Sequence, residues 1–426
     1  MDKFLGYRCS LCGTEYSSTE VAYVCPKDGG NLDVTLDYDS IKTKYQPEDI
    51  LSRNDPSLWR YLPLLPVGEP EGDSTPLHAA GGTPVFQLTS LAKKYGLQNL
   101  WLKDESRNPT ASFKDRASAV VVTRAHEIGA EIVVTASTGN AGAALAGMSA
   151  AAGQKAIIFA PKSAPEAKVA QLLIFGAKVI LVDGSYDDAF DLTVKCADEF
   201  GWYCRNTGYN PFTAEGKKTA AFEIWEWWQD AHADLHEEFG EELDHPPLTV
   251  FVSVGDGNII SGIHKGFKDL LQLGWMSRMP RIIGVQAEGS AAISNAFHAN
   301  TETIQPVSAK TIADSISVDL PRDGVRAVRA AKETGGTYVN VSDQEILEAI
   351  AELGRVGVFA EPAGAAAYAG MVKAAGSHVV RSEDPILIIN TGSGLKDIRA
   401  AMSAVSPAPV IEPSLDAVKK LLKRKK

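Results

Sequence analysis

The sequence predicts an α/β protein built on open, largely parallel sheets, and three observations predict it. From about Gly81 onward, short apolar segments alternate with amphipathic ones, the order expected of strands joined by helices. Among the apolar segments are unbroken runs such as Val250-Phe251-Val252, which suit strands covered on both faces. Several of these segments end in small polar turns that open a helical stretch, and ligands of such sheets bind at that junction.

Residues 1–35 read as a separate module, in which Cys9-x-x-Cys12 and Cys25-Pro26-Lys27-Asp28-Gly29-Gly30 form two knuckle-like turns. Residues 36–80 are rich in Pro, Asp and Ser, carry Trp59 and Tyr61, and read as an irregular connector. In the body, residues 81–403, strands are predicted at 99–102, 132–136, 155–160, 178–182, 249–254, 282–287 and 386–390. Helices are predicted at 112–128, 166–175, 187–200 and 259–270, and a smaller subdomain of about 110–206 is expected as an insertion. Residues 404–426 begin with the linker Ser406-Pro407-Ala408-Pro409 and end in a basic tail carrying Lys419, Lys420, Lys423, Arg424, Lys425 and Lys426. That tail is read as a solvated helix end. Trp225, Trp227 and Trp228 read as core or dimer-interface packing.

Composition narrows the function. The 426 residues are 45% hydrophobic and 22% charged, an ordinary globular balance with enough core to fold without staples. With 42 Lys+Arg against 53 Asp+Glu the net charge is −11, which argues against a nucleic-acid partner. Five cysteines are too few for a disulfide scaffold. No window nears the ~18 apolar residues that span a bilayer, and the N-terminus lacks the apolar stretch of a signal peptide. A cytoplasmic enzyme with no membrane contact is expected. No G-x-G-x-x-G follows a strand, and no H-E-x-x-H or G-x-S-x-G is present. Gly216-Lys217-Lys218-Thr219 mimics half a P-loop, but Pro211 stands where the first glycine is needed.

The most informative stretch is Asn108-Pro109-Thr110-Ala111-Ser112-Phe113-Lys114-Asp115-Arg116. Asn-Pro opens a turn, and Ser112-x-x-Asp115 resembles a capping box that starts a helix. Lys114 then falls in the first turn, where unsatisfied N–H groups favour a neutral amine. A neutral amine is what imine formation with an aldehyde requires. The alternative is an exposed lysine paired with Asp115.

Three strand-to-helix junctions complete the pattern. Ser137-Thr138-Gly139-Asn140-Ala141-Gly142 places backbone N–H groups and the Asn140 amide at a sheet end, although tight packing also wants small residues. Gly255-Asp256-Gly257-Asn258, followed by Ile259, would meet a phosphate at a helix N-terminus. Asp256 would repel that phosphate and is expected to point outward. Thr391-Gly392-Ser393-Gly394-Leu395-Lys396-Asp397 closes the last strand. Four such junctions on one sheet would surround a planar ligand bearing an aldehyde, an anionic oxygen, a phosphate and a ring nitrogen. Pyridoxal phosphate has all four.

With these motifs and Gly81-Gly82-Thr83-Pro84 and Glu361-Pro362, the sequence from Gly81 to Lys396 resembles the fold-type II family of pyridoxal-phosphate enzymes, most closely its threonine synthases. The resemblance implies two open sheets in a tryptophan synthase β-like arrangement, with Lys114 bonded to the cofactor aldehyde. It implies Asn140 at the phenolic oxygen, Gly255, Asp256, Gly257, Asn258 and Ile259 around the phosphate, and Thr391 at the pyridine nitrogen. Ser137, Thr138 and Gly139 would hold the carboxylate of a small amino-acid substrate, and the implied reaction converts O-phosphohomoserine into threonine and phosphate. A homodimer is the expected assembly.

The chain departs from the family in three places, the first being Ala111, which stands where the family usually has glycine. In Asn210-Pro211-Phe212-Thr213-Ala214-Glu215-Gly216-Lys217-Lys218-Thr219, Thr213 replaces the arginine that grips the substrate phosphate, and Lys217 is the candidate substitute. Relatives also begin with a zinc-ribbon-like segment of four cysteines, whereas Cys9, Cys12 and Cys25 are joined here by Asp28. Either zinc binds these four residues, or the module persists by packing around Tyr7, Tyr16 and Tyr23. A dehydratase-like β-elimination and a cysteate-synthase-like β-replacement stay open beside the synthase. A non-catalytic binding protein is the reading from another class, and the acidic balance and Lys114 count against it.

Overall fold

The computed structural model describes residues 3–21, 23–71, 75–239 and 246–423. Its strands are β1 (Phe4–Cys9), β2 (Glu15–Ser17), β3 (Leu32–Leu36), β4 (Val85–Gln87), β5 (Leu100–Asp104), β6 (Ile132–Ala136) and β7 (Lys155–Pro161). They continue with β8 (Lys178–Val182), β9 (Tyr203–Cys204), β10 (Thr249–Ser253), β11 (Arg281–Ala287), β12 (Thr337–Val341) and β13 (Ile386–Asn390).

These strands form three sheets, ordered β2-β1-β3, β12-β11-β10-β13-β5-β4 and β8-β7-β6-β9. The six-stranded sheet is parallel except where β4 pairs antiparallel with β5, and the four-stranded sheet is parallel throughout. The central strands of the six-stranded sheet, β10, β13 and β5, are buried along their whole length, which is why they read as apolar runs. Edge strands were harder to read. Thr337-Tyr338-Val339-Asn340-Val341 mixes polar with apolar residues because β12 is covered less completely. The N-terminal sheet is antiparallel, and Tyr7, Cys9, Leu32 and Val34 form its buried face.

The connector is less irregular than its composition suggests. It holds helices Tyr38–Lys44 and Pro47–Leu51 and 3-10 turns Leu58–Leu64 and Pro76–Ala79. Trp59 and Tyr61 are buried, and the indole N–H of Trp59 donates to the Leu77 carbonyl (2.9 Å). A run rich in Pro, Asp and Ser thus packs as core through its few aromatic residues.

Two features position the site. Helix Lys114–Glu127 packs against the long helix Phe212–Phe239, which in turn packs against helix Asn258–Leu273. Gly216 permits the first crossing, since a Cβ there would lie 2.1 Å from the Arg116 carbonyl oxygen. Between the two body sheets, the turns after β6, β10 and β13 gather at the strands' carboxyl ends. The expected junctions therefore come from two sheets, not one, and the ligand site is the crevice between them. The C-terminal helix Leu415–Lys423 is exposed, and Arg424, Lys425 and Lys426 lie outside the described residues.

Candidate active site

Two adjoining cavities occupy that crevice. The inner one is lined by Lys114, Asn140, Thr207, the segment Ser253–Ile260, Ser315, Glu361 and Thr391, among others. A neighbouring chamber of about 370 Å³ shares Asn140, Ser315 and Glu361 and adds Ala111, Thr138, Gly139, Lys168, Gln171 and Lys396. That volume suits a small organic ligand.

Lys114 is the first residue of its helix, but no capping box starts the helix. The Ser112 hydroxyl finds no partner among the described residues, and Asp115 accepts instead from the Thr110 N–H (2.5 Å) and hydroxyl. The chain enters the helix through Ala111 in the left-handed region (φ 62°), which explains why a glycine suits this position in relatives. Burial first, and then the nearby Arg205 guanidinium, bring the Lys114 amine down to about 8 against the opposing pull of Asp256 and Glu361. The sequence argument credited the helix terminus alone. Burial is the larger cause.

At one end of the inner cavity lies the Gly255–Asn258 turn. No backbone N–H from Gly255 through Ile260 has a protein acceptor among the described residues, and the first that does, Ser261, bonds the Gly257 carbonyl (3.1 Å). A side chain on Gly257 (φ 92°) would press its Cβ to 2.5 Å from the Asp323 carbonyl oxygen. A row of free N–H groups at a helix N-terminus, on a turn that only glycine can form, fits a phosphate monoester.

Asp256 corrects the expectation that it points outward. One carboxylate oxygen accepts from the Arg322 N–H (2.7 Å), and the other is buried without a partner, close to Gly208. Burial pushes its carboxyl up to about 7, which weakens the repulsion that made it a poor neighbour for phosphate.

Lys217 lies fully buried below the same turn. Its amine donates to the Asn258 side-chain oxygen, which also accepts from the Thr213 hydroxyl (3.1 Å). It does not line the chamber that holds Thr138 and Gly139, so the structure sets it apart from the place expected of a substrate ligand. Burial, with Lys114 and Arg205 nearby, holds the Lys217 amine well below its ordinary range.

At the other side, the Asn140 amide donates to Glu361 Oε1 (2.7 Å), and burial pushes the Glu361 carboxyl up to about 7. Thr391 lines the inner cavity beside Ala363, and its carbonyl accepts from the Phe113 N–H (2.9 Å). Thr138 and Gly139 line the outer chamber just before helix Asn140–Ala151, while Ser137 lines neither cavity.

Sequence reasoning missed Arg205. It is fully buried, donates only to the hydroxyls of Ser118 (3.2 Å) and Thr207 (2.6 Å), and leaves Nη2 unpartnered among the described residues. Burial with no carboxylate in contact brings its guanidinium down to about 10. It follows a strand of two residues, too short to leave a periodic signal.

In the N-terminal module, the Cys9, Cys12 and Cys25 sulfurs and an Asp28 carboxylate oxygen all lie within 4.8 Å of one another. Three thiols and a carboxylate at that spacing fit a tetrahedral zinc ion.

A protein-family model described as pyridoxal-phosphate dependent enzyme matches residues 77–392. The threonine synthase of Methanocaldococcus jannaschii is 39% identical over 98% of this chain and 99% of its own. That of Methanosarcina acetivorans is 37% identical over 97% of this chain and 98% of its own. Among solved structures, the processed form of tomato (Solanum lycopersicum) threonine deaminase isoform 2 superposes with a TM-score of 0.62 at 20% identity, covering 84% of this chain and 91% of that one. Maize serine racemase superposes at 0.60 with 22% identity, covering 80% and 92%. At these identities the two structures establish the fold alone. Over nearly its full length the chain belongs to the pyridoxal-phosphate-dependent enzymes of the threonine synthase family.

Proposed function

We propose that this chain converts O-phosphohomoserine and water into threonine and phosphate at the crevice between its two body sheets, phosphate leaving the γ-carbon and water adding at the β-carbon. The observation that carries the proposal is a buried, weakly basic Lys114 amine in one cavity with a row of unpaired N–H groups at Gly255–Ile260.

When bound, pyridoxal phosphate supplies an aldehyde that captures the substrate amine and a conjugated ring that accommodates the electron pair left by a departing proton. The free N–H groups of Gly255, Asp256, Gly257, Asn258 and Ile259 hold the cofactor phosphate. Lys217 donates to the Asn258 side-chain oxygen behind that turn and so helps to fix the Asn258 side chain. Asn140, held by its contact with Glu361, would meet the cofactor's phenolic oxygen, and the neutral Thr391 hydroxyl would meet its ring nitrogen. Thr138 and Gly139, with Ser137 behind them, take the substrate carboxylate at the start of helix Asn140–Ala151, where the helix dipole favours an anion. Lys114, freed once substrate binds, takes the α-proton at Nζ and returns it at a later carbon. Its lowered basicity suits both halves of that task.

Arg205 fills the place left by the arginine missing at 213. A buried cation without a carboxylate calls for an anion, and its partner Thr207 lines the inner cavity. Replacing Arg205 by Leu is expected to lower kcat/KM for O-phosphohomoserine by about tenfold to a hundredfold, the value of a charge-assisted contact, while the bound cofactor keeps its visible absorbance. An unchanged kcat/KM would remove Arg205 from the site.

Zinc at Cys9, Cys12, Cys25 and Asp28 belongs to the same proposal as a structural ion. Metal analysis of the purified protein should find one zinc per chain, and a metal-free, folded protein would refute it. A homodimer in the cytoplasm belongs to the same proposal, and elution at about twice the 45.5 kDa chain mass checks the dimer. Among the described residues no helix is long and apolar enough to cross a membrane.

A further inference from the structure

We infer that the N-terminal module is a positioning element for the cofactor-phosphate cradle, acting through Asp33. The inference rests on assigning Gly255–Ile260 to that phosphate. A continuous run of polar contacts joins the two.

Asn258, whose side-chain oxygen receives Lys217 and Thr213, donates its amide nitrogen to Asp323 Oδ2 (2.7 Å). Asp323 is held by Arg326 through two contacts, Nε to Oδ1 (2.6 Å) and Nη2 to Oδ2 (2.7 Å). The remaining arm of Arg326 reaches out of the body, and Nη1 donates to Asp33 Oδ1 (2.7 Å) on β3. Asp323 is fully buried and Arg326 nearly so, whereas the Asp33 side chain is 28% exposed.

The same segment also seats the turn by its backbone. The N–H groups of Arg322 and Asp323 donate to Asp256, one to its side chain (2.7 Å) and one to its carbonyl (3.0 Å). The Asp323 carbonyl closes over the Cα of Gly257. Helix Gly324–Glu333 is thus the floor under the cradle, and the module holds that helix at two points. Arg326 binds Asp33, and Arg329, on the same face one turn later, donates to the Ser10 carbonyl. A third contact grips the opposite wall, where the Asn31 amide donates to the Gly208 carbonyl (2.6 Å) in the turn after Thr207.

The physical consequence concerns orientation. A bidentate arginine fixes Asp323, which fixes the Asn258 amide, which decides which way its oxygen faces Lys217. Without Asp33, Arg326 keeps Asp323 as its one carboxylate partner, and Nη1 is left with only the long contact to the Leu32 carbonyl (3.4 Å). The Asn258–Lys217 pair and the turn beside it are then less well defined, and phosphate meets a cradle it must order for itself.

The test uses the full-length chain with Asp33→Asn and, as the conservative control, Asp33→Glu. The dissociation constant of pyridoxal phosphate is read from the visible absorbance of the bound cofactor, and the phosphorus-31 resonance of the bound phosphate is recorded at saturation. Asp33→Asn is expected to weaken binding about tenfold and to displace the resonance, with Asp33→Glu restoring both. An unchanged dissociation constant would overturn the inference. Weaker binding with the resonance in its wild-type position would overturn it too, because the module would then be acting on general stability. A wild-type protein with no visible band at all defeats the cofactor assignment itself, a failure distinguishable from these.

Discussion

With Lys114 replaced by alanine, the purified protein loses the visible absorbance of a lysine-bound cofactor, and turnover falls about a thousandfold or more, the scale of a lost general acid–base with its covalent attachment. No neighbouring amine can take over. Lys217 is bound to Asn258 at the phosphate end, and Lys396 contacts Gln171 (3.4 Å) across the outer chamber. The fold should survive, because burial disfavours the charged Lys114 amine, so removing it takes an unfavourable group out of the interior. That burden on the cofactor-free native state is complete below about pH 8 and fades as pH rises toward the ordinary lysine value of 10.5. Cofactor capture by the wild type should accordingly quicken as pH climbs toward 8. Spectra across pH and a phosphate-release assay check both halves. Wild-type turnover in the alanine variant would contradict them.

Replacing Arg116 by leucine has the largest expected effect on stability. The Arg116 guanidinium is fully buried between two carboxylates. It reaches Glu105 Oε2 at 2.7 Å and Oε1 at 2.8 Å, and Glu223 Oε1 at 2.6 Å and Oε2 at 2.7 Å. Lys103 also donates to Glu223 (2.6 Å), so two cations face two anions. Leucine leaves both carboxylates on one lysine, a buried uncompensated charge that costs about 3–5 kcal/mol. The loss reaches the site as well. Glu223 accepts from the Gly82 N–H (2.9 Å), Glu105 from the Thr83 hydroxyl (2.7 Å), and Arg116 follows Lys114 by two residues on one helix. Denaturant unfolding of both proteins reads the difference, and a loss under about 1 kcal/mol would show that the network bears little load.

That network explains why so much of the site was legible in the sequence. Gly81-Gly82-Thr83-Pro84, the Ser-Phe-Lys-Asp-Arg block and the Gly216 helix lie far apart in the chain and meet around Arg116. Each has local chemistry that forces a residue type: a glycine where backbone approaches, or a charge where its partner is buried. The strands β6 and β13 were readable to the residue because central parallel strands are apolar throughout, and β8, at the edge of its sheet, because it keeps the apolar run Val179-Ile180-Leu181-Val182. Three things were not readable. Asp115 accepts from Thr110 and does not serve a helix cap, a choice between nearby donors that spacing does not settle. Asp256 faces inward because Arg322, 66 positions later, supplies its backbone N–H. Thr207 reaches the inner cavity just after a strand of two residues, with Arg205 buried behind it and donating to its hydroxyl, and only tertiary structure brings them there.

The most direct test of the central claim is to reduce the wild-type holoenzyme with borohydride, digest it, and find by mass spectrometry which lysine carries the pyridoxyl group. Label on the peptide containing Lys114, and on no other, is the expected result. Label on Lys217 or Lys396, or none on any lysine, would contradict the assignment of Lys114 as the residue that carries the cofactor.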